Sequence, residues 1–155
     1  MPFHVVLVAP EIPANTGNIA RTCAATDTPL HLVEPLGFRL SDRYLKRAGL
    51  DYWQHVQLYR YPSWSALLQA HPEARFWCFS VRGQALYTEV SYQPGDWLVF
   101  GSESRGLDPV FLETYPSVRI PLRGPLRSLN LSNAVAIALF EALRQQGSLT
   151  NEGSG

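Results

Sequence analysis

Short apolar runs rich in β-branched and aromatic residues recur along this chain, and stretches with helical spacing lie between them. Residues 4–8, 30–33, 56–59, 76–81, 97–100 and 118–120 read as strands, and 16–25, 42–48, 63–70, 109–113 and 130–146 read as helices. Strands apolar on both faces and separated by helices leave one economical solution: an α/β fold with a mainly parallel sheet covered by helices on both faces. Ser41, Ser63 and Asp108 stand where helix N-caps belong, the last with Pro109 at the first helical position. At 155 residues the chain is expected to form one domain over residues 1–147, with 148–155 as a flexible tail.

The last helix carries its own constraint. Leu131, Ala134, Val135, Ala138, Leu139 and Ala142 form one apolar stripe, while Ile137 and Phe140 add apolar surface on another side. A terminal helix apolar on two sides needs two partners, its own sheet and a second copy of the chain. A homodimer is therefore expected.

Composition narrows the function classes. With 46% hydrophobic and 17% charged residues the chain is not a disordered one. Its longest apolar run, residues 134–140, falls far short of the ~20 residues that span a bilayer. No basic stretch followed by an apolar run opens the chain, so a cytoplasmic protein with no membrane partner is expected. Thirteen basic residues balance thirteen acidic ones, which leaves bulk charge silent about partners. Lys46 is the only lysine; the other bases are arginines, suited to bidentate phosphate contacts. Cys23 and Cys78 are far apart and read as buried free thiols. His4, His31, His55 and His71 lack ligand spacing and read as structural or exposed, so no metal is expected.

The common catalytic signatures fail. Residues 101–106 have the glycine spacing of a P-loop, but Leu107 and Asp108 replace its lysine and hydroxyl residue. No Gly-x-Gly-x-x-Gly follows the first strand, and Gly-x-Ser-x-Gly is missing. What remains is three polar segments, each following a predicted strand: 13–21 with Asn15, Gly17, Asn18 and Arg21; 100–107 with Gly101, Glu103 and Gly106; and 120–134 with Ile120, Pro121, Ser128, Leu129, Asn130 and Ser132. Any one of them is explained by capping, for which Asn15 and Asn130 are well suited, and by glycine turns. Three together, beyond the carboxyl ends of parallel strands, point to a shared crevice.

In this order the segments resemble the motifs of the SPOUT superfamily of RNA methyltransferases, in its 2′-O-ribose branch: Asn-x-Gly-Asn-x-x-Arg, Gly-x-Glu-x-x-Gly-Leu, and Ile-Pro followed by Ser-Leu-Asn-x-Ser-x-Ala-x-Ala. The likeness spans residues 3–146, and the opening Pro-Glu-Ile-Pro-x-Asn-Thr-Gly-Asn-Ile with Arg47-Ala-Gly-Leu-Asp-Tyr52 brings it closest to members acting on the tRNA wobble nucleotide. The resemblance implies S-adenosylmethionine as methyl donor, a tRNA substrate, an obligate homodimer and a C-terminal trefoil knot. Alternatives are 2′-O-methylation at another tRNA or rRNA position, and a non-catalytic RNA-binding protein of the same fold.

Residue by residue, the resemblance implies catalytic roles for Arg21, Asn15, Glu103, Ser128 and Asn130, and cofactor contacts from Phe79, Gly101, Ile120, Ser128 and Leu129. A guanidinium keeps its proton, so Arg21 is expected to clamp a phosphate and steady a developing alkoxide, with Glu103 or a substrate phosphate oxygen taking the proton. Gly101 is expected to let the backbone approach the ligand. Arg43, Lys46, Arg105 and Arg127, with Arg39, Arg47 and Arg123 nearby, are the expected RNA contacts. Phe140 departs from the pattern, since relatives often carry tyrosine there.

Overall fold

The computed structural model describes residues 1–41 and 53–149. The expected helix over 42–48, and with it Arg43, Lys46 and Arg47, falls outside the described residues, Ser41, its expected cap, being the last residue described before it. Seven strands form one sheet: β1 (His4–Val8), β2 (Leu30–Val33), β3 (Leu58–Tyr61), β4 (Phe76–Phe79), β5 (Ala85–Leu86), β6 (Trp97–Phe100) and β7 (Ser117–Arg119). Their order is β3-β2-β1-β6-β4-β7-β5, and every pairing is parallel. Four helices, α1 (Pro13–Ala25), α2 (Trp64–Ala70), α3 (Pro109–Thr114) and α4 (Leu131–Gln145), and a 3-10 turn at Trp53–His55 complete the described elements.

The central strands read as continuous apolar runs because both sheet faces are covered. Val5, Leu7, Leu30, Leu32, Leu98 and Phe100 face α1 and α4, which contribute Ile19, Cys23, Val135, Ala138, Leu139 and Ala142. On the other face Val6, Val33, Cys78 and Val99 meet Leu67 of α2 and Phe111 of α3. Each fully buried aliphatic side chain of this kind contributes roughly 1.5–3 kcal/mol relative to exposure.

Several boundaries differ from those read in the sequence, each for a local reason. Helix α1 starts three residues early, because Pro13 supplies the fixed φ of a first helical position. Asn15 is therefore inside the helix and caps nothing. Ser63 caps α2 by accepting from the Ala66 amide at 3.1 Å, whereas Asp108 precedes α3 without a side-chain cap. Strand β3 lies two residues later than expected, since Trp53–His55 forms the 3-10 turn. The two-residue β5 was not foreseen; it is too short to carry a period. Along α4, Val135, Ala138, Leu139, Ala142 and Leu143 are buried, while Ile137 and Phe140 remain 37% and 43% exposed.

Candidate active site

The site begins where β1 ends. Ala9 takes a left-handed φ of 54°, which costs a residue with a Cβ about 1 kcal/mol. Hydrogen bonds hold that turn: Ala9 N–H donates to the Val33 carbonyl at 2.8 Å, and Gly37 N–H donates to the Pro10 carbonyl at 2.9 Å. A Cβ on Gly37 would sit 2.7 Å from Glu11 Cα, so only glycine allows this approach. The chain is thereby delivered to the start of α1 along a fixed path.

The N-terminus of α1 has no local side-chain cap. Its acceptor comes from 91 residues further along the chain. Glu103 accepts from the Glu11 and Ile12 amides at 2.8 and 2.9 Å and from Asn15 Nδ2 at 3.1 Å. A carboxylate at a helix N-terminus meets unsatisfied N–H groups and the positive end of the helix dipole. Glu11 answers in the opposite direction, its carboxylate accepting from the Ser104 amide and hydroxyl at 2.8 and 2.7 Å. Those bonds hold the Glu11 carboxyl below the usual carboxylate range, the Ser104 backbone bond contributing most.

Asn15 carries the network onward. While its Nδ2 donates to Glu103, its Oδ1 accepts from Asn130 Nδ2 at 3.1 Å. Asn130 in turn caps α4, its Oδ1 accepting from the Ser132 amide at 2.9 Å and the Ser132 hydroxyl at 2.6 Å. A buried amide side chain needs both ends satisfied, and these partners orient it uniquely. The three polar segments are thus joined through side chains of Glu103, Asn15 and Asn130.

Gly101 serves this arrangement in a way the sequence did not reveal. A Cβ there would fall 2.0 Å from the Gly106 carbonyl carbon and 2.2 Å from the Leu107 nitrogen. The loop returns on itself, with Gly106 at φ +67° and its N–H donating to the Ser102 carbonyl at 2.9 Å. Closure of the 102–106 loop, before any ligand is considered, already demands glycine at 101.

These loops enclose a cavity of about 580 Å³ at the carboxyl end of the sheet, within the usual range for small-molecule sites. Asn15, Phe79, Gly101, Glu103, Arg105, Ile120, Arg127, Ser128, Leu129 and Asn130 all line it. Phe79 is buried and stacks on Phe100 with centroids 4.8 Å apart. The lining mixes the apolar Phe79, Ile120 and Leu122 with the exposed residues 127–130, which suits a ligand with flat apolar faces and polar edges. Arg21 is exposed on α1, nearly two turns beyond Asn15, and is not among the lining residues. Ser80, Val81 and Arg82, just past β4, also line the cavity and were missed. Their position beyond a parallel strand was the available signal.

A second polar cluster lies at the amino end of the sheet. His4 Nδ1 and His31 Nε2 are 2.9 Å apart, His31 Nδ1 is 3.0 Å from the Tyr61 hydroxyl, and that hydroxyl is 3.0 Å from His71 Nε2. His4 also stacks on Trp97, centroids 4.1 Å apart. Burial, reinforced by the neighbouring imidazoles, lowers His31 to about 3 and His4 to about 4. Cys23 and Cys78 are free, and burial raises both thiols to about 12, leaving them inert. Among the described residues no group of three or more His, Cys, Asp or Glu could hold a metal, and no helix is long and apolar enough to cross a membrane.

Residues 2–140 match the SpoU rRNA Methylase family. A protein of Burkholderia cenocepacia (strain HI2424) named tRNA (cytidine(34)-2′-O)-methyltransferase is 51% identical over 150 residues, covering 94% of this chain and 96% of that one. A solved structure described as giving structural insights into the 2-OH methylation of C/U34 on tRNA has a TM-score of 0.92 at 52% identity, covering 95% of this chain and 97% of the other. The AdoMet-bound rRNA methyltransferase of Sinorhizobium meliloti has a TM-score of 0.85 at 25% identity, covering 96% of this chain and 57% of that one.

Proposed function

The chain belongs to the SpoU rRNA methylase family, and from that premise we propose that it methylates the ribose 2′-hydroxyl of nucleotide 34, the wobble position, of tRNA, with S-adenosylmethionine as donor. The observation that carries this reading is the side-chain network Glu103–Asn15–Asn130, which ties the three segments around one cavity. Relatives named for this reaction at about half identity support the choice of nucleotide.

S-adenosylmethionine supplies an already activated methyl group on sulfur. The protein's task is therefore to hold the hydroxyl in line, stabilise the charge that develops on its oxygen and exclude water. The cavity's volume and its mixture of Phe79, Ile120, Leu122 and Leu129 with loop backbone fit an adenosine-bearing ligand. Three N–H donors already occupy the two Glu103 oxygens, which makes Glu103 a brace for α1 and leaves a substrate phosphate oxygen as the proton acceptor. Asn15 and Asn130 hold the loops in register, and Ser128 contacts the ligand. Arg21, exposed on α1 outside the cavity lining, clamps a substrate phosphate and through it steadies the hydroxyl.

The exposed Ile137 and Phe140 on α4 are apolar surface that a second copy covers, and we read the working unit as a homodimer. The trefoil knot belongs to the same reading. It is supported by the tight passage of residues 80–83 over β7, where a Cβ on Gly83 would fall 2.2 Å from the Val118 carbonyl carbon.

The test is incubation with labelled S-adenosylmethionine and an unmodified tRNA transcript carrying cytidine at 34, followed by nuclease digestion and mass spectrometry. One methyl on the ribose of nucleotide 34 is expected. Methylation confined to another nucleotide would reassign the target, and none at all would leave the RNA-binding alternative.

A further inference from the structure

Among the described arginines, four are held by the protein's own groups and three others line the cavity. Arg60, Arg75 and Arg144 each hold a carboxylate, at 3.1, 3.1 and 2.9 Å, and Arg119 donates to the Gly83 and Gln84 carbonyls at 3.0 and 3.1 Å. Arg82, Arg105 and Arg127 line the cavity, are exposed, and have no ion-pair partner among the described residues. The cavity's carboxylate, Glu103, is turned to the amides of Glu11 and Ile12. Three loops therefore each bring one guanidinium to the rim, Arg105 within the field of the Glu11 carboxylate and Arg82 and Arg127 with no ion-pair partner among the described residues.

Arg82 stands on a loop held firmly on both sides. Ser80 N–H donates to the Val118 carbonyl at 3.0 Å, Gly83 N–H donates back to the Ser80 carbonyl at 3.0 Å, and the Arg82 amide donates to Ser80 Oγ at 3.1 Å. Arg119 clamps the carbonyls just beyond, and the bare Cα of Gly83 lies against β7. A guanidinium projecting from a turn fixed on both sides is presented at little further entropic cost, which suits bidentate capture of a phosphate.

We infer that Arg82 is a substrate-positioning residue, its guanidinium taking an RNA backbone phosphate beside the nucleotide whose 2′-oxygen enters the cavity. This rests on the RNA methyltransferase reading above. The competing anion is the carboxylate of the methyl donor, a single charge that one guanidinium satisfies. Guanidinia spread over three separate loops match a chain of phosphates instead.

The test uses Arg82→Ala and Arg82→Lys with the same tRNA transcript. Arg82→Ala is expected to raise KM for tRNA about tenfold with kcat changed less than about threefold, and to reduce the slope of log affinity against log salt by about 1. Arg82→Lys, retaining the point charge, restores most of that slope. Calorimetric affinity for S-adenosylhomocysteine stays at the wild-type value in both. An unchanged KM and salt slope in Arg82→Ala would overturn the assignment, and so would a loss of S-adenosylhomocysteine affinity, which would place Arg82 on the donor. Failure of the underlying reading looks different: the wild type itself would neither bind S-adenosylhomocysteine nor methylate tRNA.

Discussion

Both ends of the sheet carry a connected polar side-chain network, and the two networks are built for opposite purposes. At the amino end His4, His31, Tyr61 and His71 hydrogen-bond in a chain packed on Trp97, and burial suppresses protonation of His4 and His31. At the carboxyl end Glu103, Asn15 and Asn130 connect three loops that border a cavity. The first network closes on the protein's own groups; the second borders a cavity with exposed arginines at its rim. Polar density alone therefore does not mark a site. What marks it is a network whose members come from separate segments beyond the strands' carboxyl ends.

This contrast breaks if the two networks respond alike to substitution. Asn15→Ala removes the joint of the carboxyl-end network and is expected to lower methyl transfer by about 100-fold, the scale of a small misplacement of reacting groups. Its melting temperature should change little by comparison. Gly101→Ala forces a Cβ into the backbone of Gly106 and Leu107. Calorimetry should show S-adenosylhomocysteine affinity reduced at least tenfold, with stability lowered by about 1–3 kcal/mol from overpacking.

At the amino end the signs reverse. His31→Ala leaves a cavity and takes from His4 Nδ1 its hydrogen-bond partner; denaturant melts should show a loss of about 2 kcal/mol, with kcat of the folded protein unchanged. Acid should act on the same cluster. The imidazoles of His4 and His31 titrate at about 4 and about 3 when folded, below the ordinary value of 6.5. The unfolded chain thus binds protons that the folded chain refuses, and stability is full above pH 6.5 and lost as pH falls towards 4. Going from pH 7 to 5 is expected to cost about 2 kcal/mol from the buried His31 and less from the half-buried His4, together roughly 8 °C in Tm, a drop that shrinks in His31→Ala. The smallest effect belongs to the exposed Arg60–Glu34 pair, where Glu34→Gln should shift stability by less than about 0.5 kcal/mol.

The strands were readable because a doubly covered parallel strand is a continuous apolar run, as at residues 30–33 and 97–100. The three segments were readable because glycines and amides stood beyond those runs. The physical roles within them were not. Asn15 has the chemistry of a cap, and only the fold reveals that Pro13 and Glu103 leave it to join two loops. The need for glycine at 101 depends on a backbone five residues away in sequence. Arg82 looks like any surface arginine until the fold places its turn beside the cavity.

The central claim is that function resides in the carboxyl-end network and stability in the amino-end one. Methyl transfer to the tRNA transcript by Asn15→Ala and His31→Ala, each first verified as folded, tests it most directly. The account predicts near-abolished transfer in Asn15→Ala and wild-type turnover in His31→Ala. Equal losses in the two variants, or wild-type turnover in Asn15→Ala, would contradict it.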